Sequence, residues 1–278
     1  MTSVASLRQI LAFRLPTSDP ERLRRFYVQG LGFEEISERP IPADEMTLLG
    51  LSRSGRRWTL GVGDERLDLD KFDEPGRPYP PDSDAADLVF QHCAVVVTDA
   101  AAAFRRALDH GAAAISTAGP VKLPPSAGGV IAVKFRDPEG RPLEFLQFPP
   151  GAASRWGAAA PRAGPLGVDH SAICVADAGA STRFYGAHGL QRGRATLNHG
   201  PAQAALDGLE DPRVSVVPLL PETGAAHLEL LGYQVPRPRP GALLAANDIA
   251  ATRIVWASDR DGLLRDPDGH LHQLKRRV

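Results

Sequence analysis

The sequence predicts an α+β fold built from four copies of a βαβββ module, the fourth abbreviated. Three observations carry this reading. First, FQHCAVVVTD (residues 90–99) and VDHSAICVAD (residues 168–177) share a His, an apolar run and then an Asp seven places after the His. Second, helix-like stretches follow those Asp residues. Third, FRDPEGRPLEFLQF (residues 135–148) and LRDPDGHLHQL (residues 264–274) share a strand, a D-P-D/E-G tight turn and a second strand, a hairpin signal.

Taken in order, the first module opens with the strand LAFRLPTSD, followed by the helix PERLRRFYVQGLGF. Asp19 is its expected N-cap and Pro20 takes a first-turn position that suits proline. RLDLDKF (residues 66–72) closes the module. The second module runs from the His92 strand through the helix AAAAFRRALDHG to the DPEG hairpin. The third runs from the His170 strand through AGASTRFYGAHGL to HLELLGY (residues 227–233). In the fourth, ATRIVWASD leads through Arg260, Asp261 and Gly262 almost directly into the DPDG hairpin, leaving no room for a helix. Pro- and Gly-rich joints cover residues 73–86, 149–166 and 234–242. The second joint suggests two halves, residues 1–150 with modules 1 and 2, and residues 166–278 with modules 3 and 4.

Composition narrows the function classes. A chain of 278 residues with 43% hydrophobic residues, 23% charged residues and a net charge of -1 is an ordinary globular protein, with no electrostatic argument for nucleic acid. Neither a secretory leader nor an apolar run of membrane-spanning length is apparent, so a cytoplasmic protein without a membrane partner is expected. Cys93 and Cys174 each sit in an apolar strand, as core residues rather than a disulfide. No nucleophile elbow, P-loop, HExxH or CxxC pattern occurs, which disfavours nucleophilic and nucleotide-dependent chemistry.

The repeated HCAVVVTD and HSAICVAD strands, the DPEG and DPDG turns, and the Glu residues in PLEFLQF and HLELLGY resemble the vicinal oxygen chelate superfamily. That superfamily includes glyoxalase I, extradiol dioxygenases and bleomycin-resistance proteins. The resemblance implies that modules pair edge to edge into two cup-shaped curved mixed sheets with helices outside. It also implies that a metal is held by the first-strand and last-strand residue of each module in a cup. Aligned on the Asp seven residues later, the first-strand positions are Ala12, His92, His170 and Thr252. The last-strand positions are Asp68, Glu144, Glu229 and Gln273.

Modules 2 and 3 each keep a His and a Glu, whereas modules 1 and 4 keep neither. Pairing 1 with 2 and 3 with 4 would give two half-sites, the second drawing on His170, Glu229 and His272. Pairing 2 with 3 would gather His92, Glu144, His170 and Glu229 in one cup and leave the other a structural role, which explains the distribution more simply.

Such a set suits one divalent Zn, Ni, Co, Mn or Fe ion. It leaves two positions for adjacent substrate oxygens, where the ion would stabilise an enediolate. Glu144 or Glu229 is the natural base, and His227, two residues from Glu229, is a further acid or base. The implied function is a glyoxalase-type lyase or isomerase of a small oxygen-rich carbonyl substrate, in a monomer or homodimer. Its rivals are an Fe(II) extradiol dioxygenase of a catechol and a metal-free protein that binds a small molecule such as an antibiotic.

Against these stands the ordinary fate of polar residues in strands. His199 reads as a loop residue, His270 and His272 as last-strand decoration, Asp68 and Gln273 as polar contacts, and Trp256 as core.

Overall fold

The computed structural model describes residues 4–152, 154–156, 164–224 and 226–277. Module 1 comprises β1 (Gln9–Pro16), α1 (Pro20–Arg25), β2 (Glu34–Pro40), α2 (Ala43–Leu48), β3 (Gly55–Val62) and β4 (Glu65–Phe72). Module 2 comprises β5 (Gln91–Val96), α3 (Ala100–Asp109), β6 (Ala113–Ala114), β7 (Val121–Lys122), β8 (Ile131–Arg136) and β9 (Pro142–Gln147). Module 3 holds β10 (Gly167–Cys174), α4 (Ala178–Ala187), β11 (Gln191–Arg192), β12 (Thr196–His199), α5 (Pro201–Asp207), β13 (Arg213–Leu220) and β14 (His227–Val235). Module 4 is reduced to β15 (Arg253–Ser258), β16 (Gly262–Arg265) and β17 (Leu271–Arg276).

The Asp residues that follow the first strands start helices because each carboxylate accepts hydrogen bonds from the first turn. Asp19 accepts from the Arg22 N–H, Asp99 from Ala102, and Asp177 from Gly179 and Ala180. The first helix departs from expectation after Arg25, where Phe26–Leu31 continues as a π-helical stretch. Gly32 ends it at φ 83°, a left-handed conformation that glycine adopts without steric cost.

Two sheets result. One has the order β16-β17-β15-β1-β4-β3-β2, joining modules 4 and 1. The other has the order β11-β13-β14-β10-β5-β9-β8-β6, joining modules 3 and 2, with β12 on β13 and β7 on β8. The 2-with-3 pairing is therefore present, through the antiparallel neighbours β5 and β10.

Strand alternation divides the two faces of each sheet. In β5, Cys93 and Val95 join the main core with Phe104 of α3, Phe145, Tyr185 and Trp256, while Ala94 and Val96 belong to a separate cluster inside the cup. Burying each large apolar side chain of this core contributes roughly 1.5–3 kcal/mol. Both cysteines are buried and unpaired.

The register corrects one position. Glu144 stands beside Ala94, two residues after His92, and Glu229 beside Ala172, two after His170. Gln273 stands beside Val255, so the fourth first-strand residue is Arg253 and not Thr252. The reason is spacing: Asp259 follows Arg253 by six residues instead of seven, and no helix lies between β15 and β16 for it to cap.

Candidate metal centre

His92, Glu144, His170 and Glu229 come from four adjacent strands, β5, β9, β10 and β14. Across the β5–β10 seam His92 faces Ala172 and His170 faces Ala94, in a register adjusted by a bulge between Val168 and His170. The same two alanines adjoin the glutamates on the outer strands. A methyl group at each of these positions leaves space above it, so an imidazole and a carboxylate from neighbouring strands can lean together.

They do meet. His92 Nε2 lies 3.2 Å from Glu144 Oε2, and His170 Nε2 lies 3.7 Å from the same oxygen and 3.5 Å from Glu229 Oε2. Ligand atoms about 2.1 Å from a common ion in tetrahedral or octahedral geometry are about 3.0–3.4 Å apart, so these spacings fit a divalent cation after small side-chain movements. Among the described residues His92, Glu144 and His170 form one group of potential ligands whose donor atoms all lie within 4.8 Å of one another, and Asp169, His170 and His227 form another.

His227 stands opposite His170 on β14, with Nε2 3.4 Å from Glu229 Oε1. Its counterpart in module 2 is Pro142, two residues before Glu144, so this imidazole breaks the symmetry of the cup. On the other side Asp169 Oδ2 lies 3.1 Å from His170 Nδ1, and its second oxygen accepts from the Trp156 indole at 2.5 Å. A carboxylate on the outer nitrogen of a ligating imidazole fixes ring orientation and tautomer. His92 Nδ1 has no such partner, and that ring rests edge-on against Phe90 at 5.7 Å.

Charge in the cluster is unevenly held. Burial alone would lower the His170 pKa, but Glu229, Asp169 and Glu144 outweigh it and hold the imidazolium well above the usual histidine range. Burial keeps His92 low, hence neutral. Both Glu144 and Glu229 stay ionised below the usual carboxylate range: burial opposes this, but the adjacent imidazoles prevail. Without a metal, the proton on His170 partly offsets the negative charge that a cation would neutralise.

The cluster faces a cavity of about 260 Å³ with an apolar wall that includes Leu123, Leu206 and Leu231. Lys134 of β8 lines the same cavity, standing opposite Glu144. Sequence reading passed over it, although its parity relative to the hairpin turn places it on the cup face.

The other expected residues lie elsewhere. In the module 1–4 cup, Asp68 binds Arg14 at 3.0 Å and accepts from Thr59 at 2.7 Å, and Gln273 accepts from Arg14 at 2.7 Å. Ala12 is buried and offers no ligand, and Arg253 pairs with Asp70. His272 is enclosed between Tyr185 and Trp256, hydrogen-bonded to both, which removes it from any metal site; His270 binds the Cys174 carbonyl at 2.8 Å. His199 ends β12.

No helix among the described residues is long and apolar enough to cross a membrane. No curated protein sequence matches the chain. Among solved structures, glyoxalase I from Zea mays aligns with 98% of this chain and 92% of its own, at 17% identity and a TM-score of 0.58. A candidate dioxygenase from Bacillus subtilis aligns with 99% of this chain and 86% of its own, at 14% identity and a TM-score of 0.56. At these identities the likeness is one of fold. Residues 9–145 match the family model of the Glyoxalase/Bleomycin resistance protein/Dioxygenase superfamily, and it is to this superfamily that the chain belongs.

Proposed function

We propose that the protein is a metal-dependent lyase or isomerase of the glyoxalase type, acting on a small carbonyl compound with adjacent oxygens. The observation that carries this is the convergence of two imidazoles and two carboxylates, from four strands, in the lining of a small cavity. His92, Glu144, His170 and Glu229 would hold a divalent ion, which when bound supplies Lewis acidity that polarises the substrate oxygens.

The two glutamates are suited to different tasks. Glu144 is wedged between His92 and His170, its side chain 6% exposed, and is the fixed anion. Glu229 is the more accessible, at 16%, and serves as the base that takes the proton next to the carbonyl. His227, partly exposed and 3.4 Å from Glu229, carries that proton onward or returns it to the neighbouring carbon. Asp169 keeps the His170 ring in place, and the leucine wall limits water around the transferred proton.

One observation favours a second reading. His92, Glu144 and His170 form a closer group without Glu229, and two imidazoles with one carboxylate are the donor set of Fe(II) oxygenases. A direct comparison separates the two. Protein reconstituted with Ni²⁺, Zn²⁺ or Fe²⁺ is given hydroxyacetone in D₂O, or catechol under air. Solvent deuterium entering hydroxyacetone, and entering far more slowly in Glu229→Gln, supports proton transfer. Oxygen uptake with catechol and Fe²⁺ alone would support the dioxygenase and overturn the first reading.

A further inference from the structure

Lys134 is a buried ammonium with unused hydrogen-bonding capacity beside the candidate centre. Its residue exposure is 3%, and its Nζ lies 2.7 Å from Asp207 Oδ1. Asp207 is itself fixed, its other oxygen accepting from the Tyr233 hydroxyl and the Gln203 amide, both at 2.8 Å. An ammonium has three donors. Among the described residues only Asp207 accepts from it; the nearest ring face, Phe90, lies 5.9 Å away. Two N–H groups are left in a side chain that lines the cavity.

A buried ion pair costs desolvation that an apolar pair of similar volume avoids, so Lys134 and Asp207 are poorly explained as packing. A substrate oxygen in the cavity would satisfy the remaining donors. An anionic oxygen would do so best, because charge-assisted hydrogen bonds are about twice as strong as neutral ones. The strand register adds a second constraint. Lys134 is directly across from Glu144, so a group held by the ammonium lies beside the atoms facing the candidate ion. Arg194, exposed at the cavity and without an ion-pair partner among the described residues, gives the entrance the same sign of charge.

We propose that Lys134 selects an anionic substrate, holding the carboxylate of a small oxo- or hydroxy-acid beside the His92–Glu144–His170–Glu229 cluster. The inference rests on reading this cavity as the substrate site, and it adds a substrate class that the metal ligands alone do not define. Asp207 is the positioning residue: it holds the ammonium against β8 and ties α5 to module 2.

The test compares pyruvate with butane-2,3-dione, its neutral counterpart in size and adjacent carbonyls, by ligand-observed NMR on the full chain, Zn²⁺-loaded and metal-free. Wild type is expected to bind pyruvate at least about tenfold more tightly than the dione. Lys134→Arg should keep the preference. Lys134→Met combined with Asp207→Asn, which leaves no unpaired buried charge, should erase it while circular dichroism stays native. Equal affinity for the two probes in wild type, or a preference that survives the double variant, would overturn the proposal. If Zn²⁺ fails to bind but the Lys134-dependent preference remains, the metal reading falls and this inference stands. If Zn²⁺ binds and no preference is found, this inference alone falls.

Discussion

Arg253 occupies, in the module 1–4 cup, the strand position that His92 occupies in the module 2–3 cup. Each lies two residues before the neighbour of a last-strand residue, Gln273 in one case and Glu144 in the other. Around Arg253 the cup has become an internal ion network. Arg57 binds Asp70 at 2.6 Å and Glu45 at 2.7 Å, Arg14 binds Asp68 and Glu45, and Arg253 binds Asp70. Three guanidinium groups, with the Lys275 ammonium 3.7 Å from Glu45, face three carboxylates where the other cup gathers ligands for a cation. Glu45 enters from α2, whose Met46 packs with Ile41, Leu49 and Phe72.

Removing one member of this network should be costly, because the remaining charge is buried. Arg57→Met or Glu45→Gln is expected to destabilise the fold by about 3–5 kcal/mol, measured by urea unfolding. Metal content should be unchanged, since the network belongs to the other sheet. A loss below about 1 kcal/mol would mean that water reaches these groups.

Metal binding should release protons. His170 is held protonated by Glu229, Asp169 and Glu144, and it must lose that proton to ligate. Calorimetry in buffers of different ionisation enthalpy is expected to give about one proton released per metal at pH 7, with affinity rising as pH rises. Asp169→Asn should reduce the release, as it removes one of the carboxylates that hold the proton. Zero release would show that His170 is neutral before the metal arrives.

Glu229→Gln should slow deuterium exchange into a bound carbonyl compound by about 10²–10⁴-fold, the usual contribution of a general base. His227→Ala should have a smaller effect, one relieved by added imidazole. Equal and complete loss in both variants, with metal retained, would make His227 the base.

His272 should contribute to acid sensitivity. Burial lowers its pKa to about 4, so the folded state favours the neutral ring that donates to Tyr185 and accepts from Trp256. A depressed pKa gives stability that is present above the unfolded value near 6.5 and lost as pH falls through the folded value. Urea midpoints between pH 7 and pH 4 should fall less steeply in His272→Gln than in wild type. Parallel slopes would assign the acid loss to other groups.

Much of this was legible in the sequence because it depends on local rules. The Asp caps, the DPEG and DPDG hairpins and the two His strands follow from backbone hydrogen bonding and alternation, and they locate modules and candidate ligands. The position of Arg253 was less accessible, because the Asp used for alignment has shifted by one. A better anchor existed in Asp87 and Asp248, each five residues before its first-strand position. Asp87 binds Arg239 and Asp248 binds Arg77, each arginine lying in a proline-rich joint. Lys134 was missed for a different reason: the strand holding it and the α5 segment holding Asp207 are 73 residues apart, and only the tertiary fold joins them.

Modules 2 and 3 together should hold one metal ion. Elemental analysis of purified, untagged wild type against the His92→Ala, Glu229→Ala double variant decides this. We expect about one divalent ion of Ni, Zn, Co, Mn or Fe per chain in wild type, lost in the variant. Wild type that stays metal-free after reconstitution, or a variant that retains a full equivalent, would contradict the assignment.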